Sequence, residues 1–489
     1  MTVVRSSSSV KQKSCPELHQ DISEVKVEVV VKESSYRLEK DSMGTVQVPE
    51  WADWGAHTQR ALENFSVSPY RIHPHLRDAL AEIKSAAAEA HWKEGTLSEE
   101  VSSAIRKAAE EIPSGMLDAH FPIDVFQTGS GTSWNMNMNE VIAHRASEYL
   151  RSTQSVHPND HVNRGQSSND VIPSATNIAA RQMAWKVYKS LCSLAEAFEK
   201  KAEVYADDLK LGRTHLQDAV PMKVGQEFAA WAEQVRRSAE RIAQQFFGLE
   251  ELPLGGTAVG TGLNSSRHWA EECVRLIAEH TDIPFRCADN PFVQISARDE
   301  HVALMGALNG AAVSLMKIAQ DLRLLSSGPR SGLGELRLPE LQPGSSIMPG
   351  KVNPVIPEMV IQAAAFIMGK QTSVSIAAHN APLQLNIMQP LIAHEVLTSL
   401  ELLHKVAEKF EKGCVRDIEV PTAHTRAAIE KSLALVTPLA VRIGYDAAAE
   451  LAHRAYREGK TIRAVVIEAG VLSETEVEEI LDPRNMCGE

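Results

Sequence analysis

Apolar residues recur along most of this chain with a helical period, in stretches of uncommon length. Runs at about 73–92, 97–112, 172–205, 224–247, 265–282, 299–328, 356–378 and 388–411 predict one helix each. A further helix is expected from the Asn135-Met-Asn-Met-Asn139 stretch through Val141, Ile142 and Ala143. Several of these helices would hold 25 to 35 residues, and strand-like alternation is scarce, so the pattern predicts a long antiparallel bundle. From Val415 the texture changes to short helical segments at 424–435, 444–458, 461–469 and 473–481, a small helical domain. At the other end Tyr36–Pro49 reads as strand and turn, and Val25–Val31 as a short strand within a weakly ordered extension. The expected organisation is an extension at 1–35, an N-terminal domain at 36–166, a central bundle at 167–422 and a C-terminal domain at 423–489. No internal repeat is visible.

Composition narrows the class. Of 489 residues 44% are apolar but only 5% aromatic, which fits an aliphatic helical core. A net charge of −13 argues against a general nucleic-acid binder, yet local cations can still hold an anion in a cleft. The six cysteines are scattered, with no CxxC pair, which suits free thiols in a reducing compartment. No uninterrupted apolar run reaches the ~18 residues of a membrane span; Val302–Met316 is broken by Asn309 and Ser314. A cytoplasmic protein without membrane partners is expected. Met1–Ser14 is Ser-rich and free of acids, as mitochondrial leaders are, but Glu17 and Asp21 follow at once.

Candidate chemistry sits in the connections. Residues 344–354 read Gly-Ser-Ser-Ile-Met-Pro-Gly-Lys-Val-Asn-Pro, a loop with Ser345, Ser346, Lys351 and Asn353. In an extended backbone Lys351 and Asn353 point the same way and would clamp a carboxylate. A solvated surface loop has a similar composition. Gly129-Ser-Gly-Thr132 offers N–H groups and hydroxyls together, which suits an anion or a helix cap. His157–Asp170 reads as a loop because of Pro158 and Gly165, and ends in Ser167, Ser168, Asn169 and Asp170, an N-cap for the long helix after it. Thr214 and His215 lie in a polar turn between two helices. The Gly-rich turn Leu254–Asn264 lacks the Lys-Ser/Thr ending of a phosphate loop and the strand of a dinucleotide fingerprint, so a nucleotide site is rejected.

Together these segments resemble the class II fumarases of the fumarase/aspartase superfamily, over about Tyr36 to Met486. The 344–354 loop matches that superfamily's signature without a break. Pro122–Thr132, Gln166-Ser-Ser-Asn-Asp170 and Leu254-Gly-Gly-Thr-Ala-Val-Gly260 look fumarase-like, while Asp218–Met222 and Leu383–Met388 look closer to aspartase. The resemblance implies a mainly α, three-domain fold and a homotetramer with a twenty-helix core, each active site drawn from three subunits. It implies a small dicarboxylate substrate, no cofactor and no metal. The implied reaction is the interconversion of (S)-malate and fumarate; aspartate ammonia-lyase, a lyase for another substituted succinate and an inactive helical scaffold are the alternatives. Ser345 would be the base, and His215 paired with Glu358 would serve the leaving water. Ser130, Gly131, Thr132, Ser167, Ser168, Asn169, Thr214, Ser346, Lys351, Val352 and Asn353 would bind substrate. His157, Pro158, Asn159 and Asp160 match a secondary dicarboxylate site. Departures from the pattern are Asp53, His57, Gly165 and above all Trp134, whose bulk beside Thr132 would reshape the pocket.

Overall fold

The computed structural model describes residues 35–150 and 155–488; the strand expected at Val25–Val31 and the rest of the extension lie outside them. A hairpin of β1 (Tyr36–Asp41) and β2 (Gly44–Pro49) opens the fold. Helices α1 (Ala56–Asn64), α2 (Pro74–Lys93), α3 (Glu99–Glu111) and α4 (Thr132–Tyr149) follow. The long α5 (Ser168–Val204) leads to a second hairpin, β3 (Leu209–Thr214) and β4 (Gln217–Lys223), and then to α6 (Val224–Ala243). The short α7 (Phe246–Leu249) and β5 (Glu251–Leu252) precede α8 (Arg267–Thr281) and β6 (Arg286–Cys287), which pairs in parallel with β5. The chain continues through α9 (Pro291–Ser296), α10 (Asp299–Leu325), α11 (Val355–His379) and α12 (Gln389–Gly413). It ends with α13 (Thr422–Lys431), α14 (Thr437–Ile443), α15 (Tyr445–Glu458), α16 (Ile462–Ala469) and α17 (Glu474–Ile480).

The fold is mainly α, as its periodicity predicts. α5, α6, α10, α11 and α12 pack side by side as the central bundle. They share one continuous apolar core with the N-terminal helices, from Val48 to Ile418. A second, smaller core joins Leu209 and Leu211 of β3 to residues between Ile429 and Cys487. α10 is long and apolar enough to cross a membrane by length and composition, but half of that stretch is buried against neighbouring helices.

α11 and α12 run antiparallel, while α5 and α12 run the same way, and this fixes where the connections lie. Gly413 at the end of α12 packs on Ile356 at the start of α11. Gln389 N–H, at the start of α12, donates to the Gly129 carbonyl at 3.0 Å. Lys201 near the end of α5 donates to the Ile418 carbonyl at 2.7 Å. The starts of α5 and α12 therefore share one end of the bundle, and the end of α5, the start of α11 and the β3–β4 hairpin share the other. α11 has 25 residues and α5 has 37, so the two ends are about 37 Å or more apart at 1.5 Å per residue.

Three expectations are corrected. His215 does not sit in an isolated turn between helices; it is at the tip of the β3–β4 hairpin. His157–Asp170 is not all loop, since Pro158–Val162 forms one wide helical turn capped by His157. The last domain also contains α14, beyond the expected end of its first helix.

Candidate active site

One half of the candidate site lies at the N-terminus of α5. Ser167 caps this helix: its Oγ accepts from Asn169 N–H at 3.2 Å, while Asp170 Oδ1 accepts from Ser167 N–H at 2.9 Å. The hydroxyls of Ser130, Thr132 and Ser168 form a chain with 2.7 Å at each link, which ties the Gly129–Thr132 turn to the helix. Gly129 is packed so closely that a Cβ would lie 2.0 Å from the Ile387 carbonyl oxygen. Gly131 is the N-cap of α4. Asn169 Nδ2 donates to the Ala258 carbonyl at 2.8 Å, so the Gly-rich turn forms a wall of the same pocket. The result is a set of hydroxyls at the positive end of a long helix, a place suited to a carboxylate.

Asp170 is the hub that the sequence did not mark out. Its Oδ2 accepts from Gly255 N–H at 3.0 Å and Thr257 N–H at 2.9 Å, joining α5 to the Gly-rich turn. Burial raises its pKa to about 6, against three backbone N–H bonds that favour the carboxylate. Trp134 does not crowd this pocket. It is buried in the core with only 1% of its surface exposed, and its indole N–H reaches the Ile123 carbonyl at 3.4 Å. Gly165 has φ +66, a conformation in which a serine would be strained.

A cleft of about 570 Å³ runs from Asn159 and Asp160 past Gln166 and Ser167 to Thr257 and Ala258. At its outer edge His157 Nδ1 accepts from Asn159 N–H at 3.3 Å and Asp160 N–H at 3.1 Å. Of the expected secondary site, Asn159 and Asp160 therefore line the same cleft as Ser167.

The other candidate residues stand at the far end of the bundle. His215 and Leu216 form a two-residue hairpin tip with φ of 56° and 61°, a left-handed conformation that β-turn geometry demands and that neither residue favours. Arg213 Nη2 donates to Glu335 Oε1 at 2.5 Å, and Lys210 Nζ bridges Glu227 at 2.6 Å and Glu335 at 3.2 Å, which fixes the hairpin to the segment before the 344–354 loop. Thr214 and His215 are exposed. Within the loop Gly344 N–H donates to the Lys351 carbonyl at 2.7 Å. Ser345 Oγ accepts from Ile347 N–H at 3.2 Å and Met348 N–H at 3.1 Å. Ser346, Lys351 and Val352 are exposed, and Asn353 Nδ2 donates to the Gly344 carbonyl at 2.7 Å and closes the loop. Glu358 is half-buried in the first turn of α11, and among the described residues no hydrogen bond or ion pair joins it to His215.

A lyase family model matches residues 44–369, and a model for the fumarase C C-terminus matches residues 435–488. A class II fumarate hydratase of Prochlorococcus marinus is 45% identical over 455 residues, covering 92% of this chain and 98% of the relative. The chain belongs to the class II fumarate hydratase family. The mitochondrial fumarate hydratase of Danio rerio is 45% identical over 461 residues, 93% of this chain and 90% of its own. The crystal structure of a class II fumarase from Schistosoma mansoni superposes with a TM-score of 0.89 at 40% identity, covering 92% of this chain and 99% of that one. Trp134 is part of the core and does not line the cleft beside Ser167.

Proposed function

We propose that the chain catalyses the reversible addition of water to fumarate, giving (S)-malate. The observation that carries this reading is the hydroxyl chain Ser130–Thr132–Ser168 at the N-terminus of α5, a cradle for one carboxylate of a dicarboxylate. The proton removed from malate lies beside a carboxylate and is a very weak acid. The site must therefore hold the extra charge that develops on that carboxylate, a task for fixed donors. Lys351, Asn353, Asn169 and Thr214 complete the donor set, with Ser167, Gly131, Ser346 and Val352 lining it.

Ser345 takes the proton. Its Oγ receives two backbone N–H bonds, and donors of this kind favour the alkoxide form. His215, oriented by Glu358, serves the departing water. His157, Pro158, Asn159 and Asp160 hold a second dicarboxylate at the cleft mouth. The two half-sites lie at opposite ends of one bundle, so a complete site needs chains that run in opposite directions. We take the assembly to be a homotetramer with three chains at each site. α11 supports this, because it is apolar nearly all round while Phe366 and Ile376 are 52% and 58% exposed.

The test is fumarate formation by the purified protein, offered L-malate and L-aspartate separately. Turnover of malate alone is the expected result. Ammonia release from aspartate, or silence with both, would overturn the reading.

A further inference from the structure

Lys84 sits midway along α2 and has no surface exposed at all. Its Nζ donates to Asn135 Oδ1 at 2.8 Å, Asn163 Oδ1 at 3.0 Å and Gln166 Oε1 at 2.8 Å. Three protons meet three amide oxygens, one from α4 and two from the segment that leads into α5. This is the inventory of an ammonium and not of an amine, whose lone pair would face an oxygen. Among the described residues no carboxylate touches it. Facing charge comes from Asp170 on α5, with the Cys273 thiol on α8 nearby; on α2 itself His91 bonds the Arg164 carbonyl at 2.9 Å. The Gln166–Asn169 segment is thus gripped from one side by a buried cation and from the other by a buried carboxylate that holds Ser167 N–H, Gly255 N–H and Thr257 N–H. A methionine would fill the same space without the cost of burying a charge.

We propose that Lys84 is a positioning residue: its ammonium, acting through Asn163 and Gln166, sets Ser167, Ser168 and Asn169 at the distance from Thr132 that the substrate carboxylate requires. This rests on the dicarboxylate function proposed above. Lys84 reaches no reacting atom; it acts through the segment it holds. The competent form is the protonated one. Burial lowers the ammonium's pKa to about 7, so kcat/KM falls as pH rises through that region and the three-bond grip is lost.

The experiment compares the wild-type enzyme with Lys84→Met across about pH 6 to 9, reading kcat and KM for malate separately. The expected result is a fall in kcat/KM of about 10²-fold, carried mainly by KM, with the alkaline fall removed and helix content and assembly unchanged. A drop in kcat alone, with KM and the pH profile as in wild type, would mean a structural role and overturn the proposal. If Lys84→Met does not fold, Asn163→Ala decides, since it removes one acceptor and keeps the charge. A smaller rise in KM is expected there, and an unchanged KM overturns the proposal. Amide hydrogen exchange over residues 166–170 gives a readout independent of turnover. It should be faster in either variant than in wild type, and equal rates would overturn the proposal even if the wild-type protein proved inactive on malate.

Discussion

At the scale of single residues, Ser345 is the proposed base. A serine in water does not remove a carbon-bound proton; one whose Oγ already accepts from Ile347 N–H and Met348 N–H has donors in place for a negative charge. Ser345→Ala should lower kcat for malate by about 10²- to 10⁴-fold while a non-reacting dicarboxylate such as succinate still binds, as calorimetry would report. Loss of succinate binding would make Ser345 a ligand and not a base. Ser130, Thr132 and Ser168 were legible in the sequence because hydroxyls beside glycines and helix starts stand out. Asp170 read only as a capping partner, since its reach to Gly255 and Thr257 spans 85 residues or more. Lys84 was invisible, for a lysine inside an alanine-rich helix carries no mark of its three amide partners.

At the scale of elements, Gly129 governs how the first half-site docks on the start of α12. The Ile387 carbonyl occupies the space of a Cβ, so Gly129→Ala must push the turn away or distort the 387–389 segment. It should cost about 1–3 kcal/mol of stability, seen as a lowered unfolding midpoint, and weaken turnover more than stability. Unchanged turnover would mean that the turn shifts without consequence for the cradle. Helices α2, α3, α8 and α10 to α12 were legible because a long apolar period averages over many residues. The β3–β4 hairpin was not: its tip is His215-Leu216, without the Asn-Gly that announces such a turn. α14 was hidden by Pro438, which reads as a stop but is tolerated in a first helical turn.

At the scale of the whole molecule, the candidate residues fall into two groups at opposite ends of one bundle, and a single sequence gives no sense of that separation. The proposed assembly would bring the two groups together, and α11 is the surface that it would bury. Phe366→Glu should shift the protein to smaller species in sedimentation velocity and remove malate turnover with them. A full-size, active assembly in that variant would place the interface elsewhere. The hairpin that carries His215 also has a history in time. Its base leans on the second core, through Leu209, Leu211 and a bond from Thr425 Oγ1 to the Leu209 carbonyl at 2.8 Å, made across 216 residues of chain. During synthesis the hairpin emerges long before the residues it leans on. A nascent chain therefore carries its histidine on an unsupported tip, and the fixed placement of that tip is among the last things the growing polypeptide acquires.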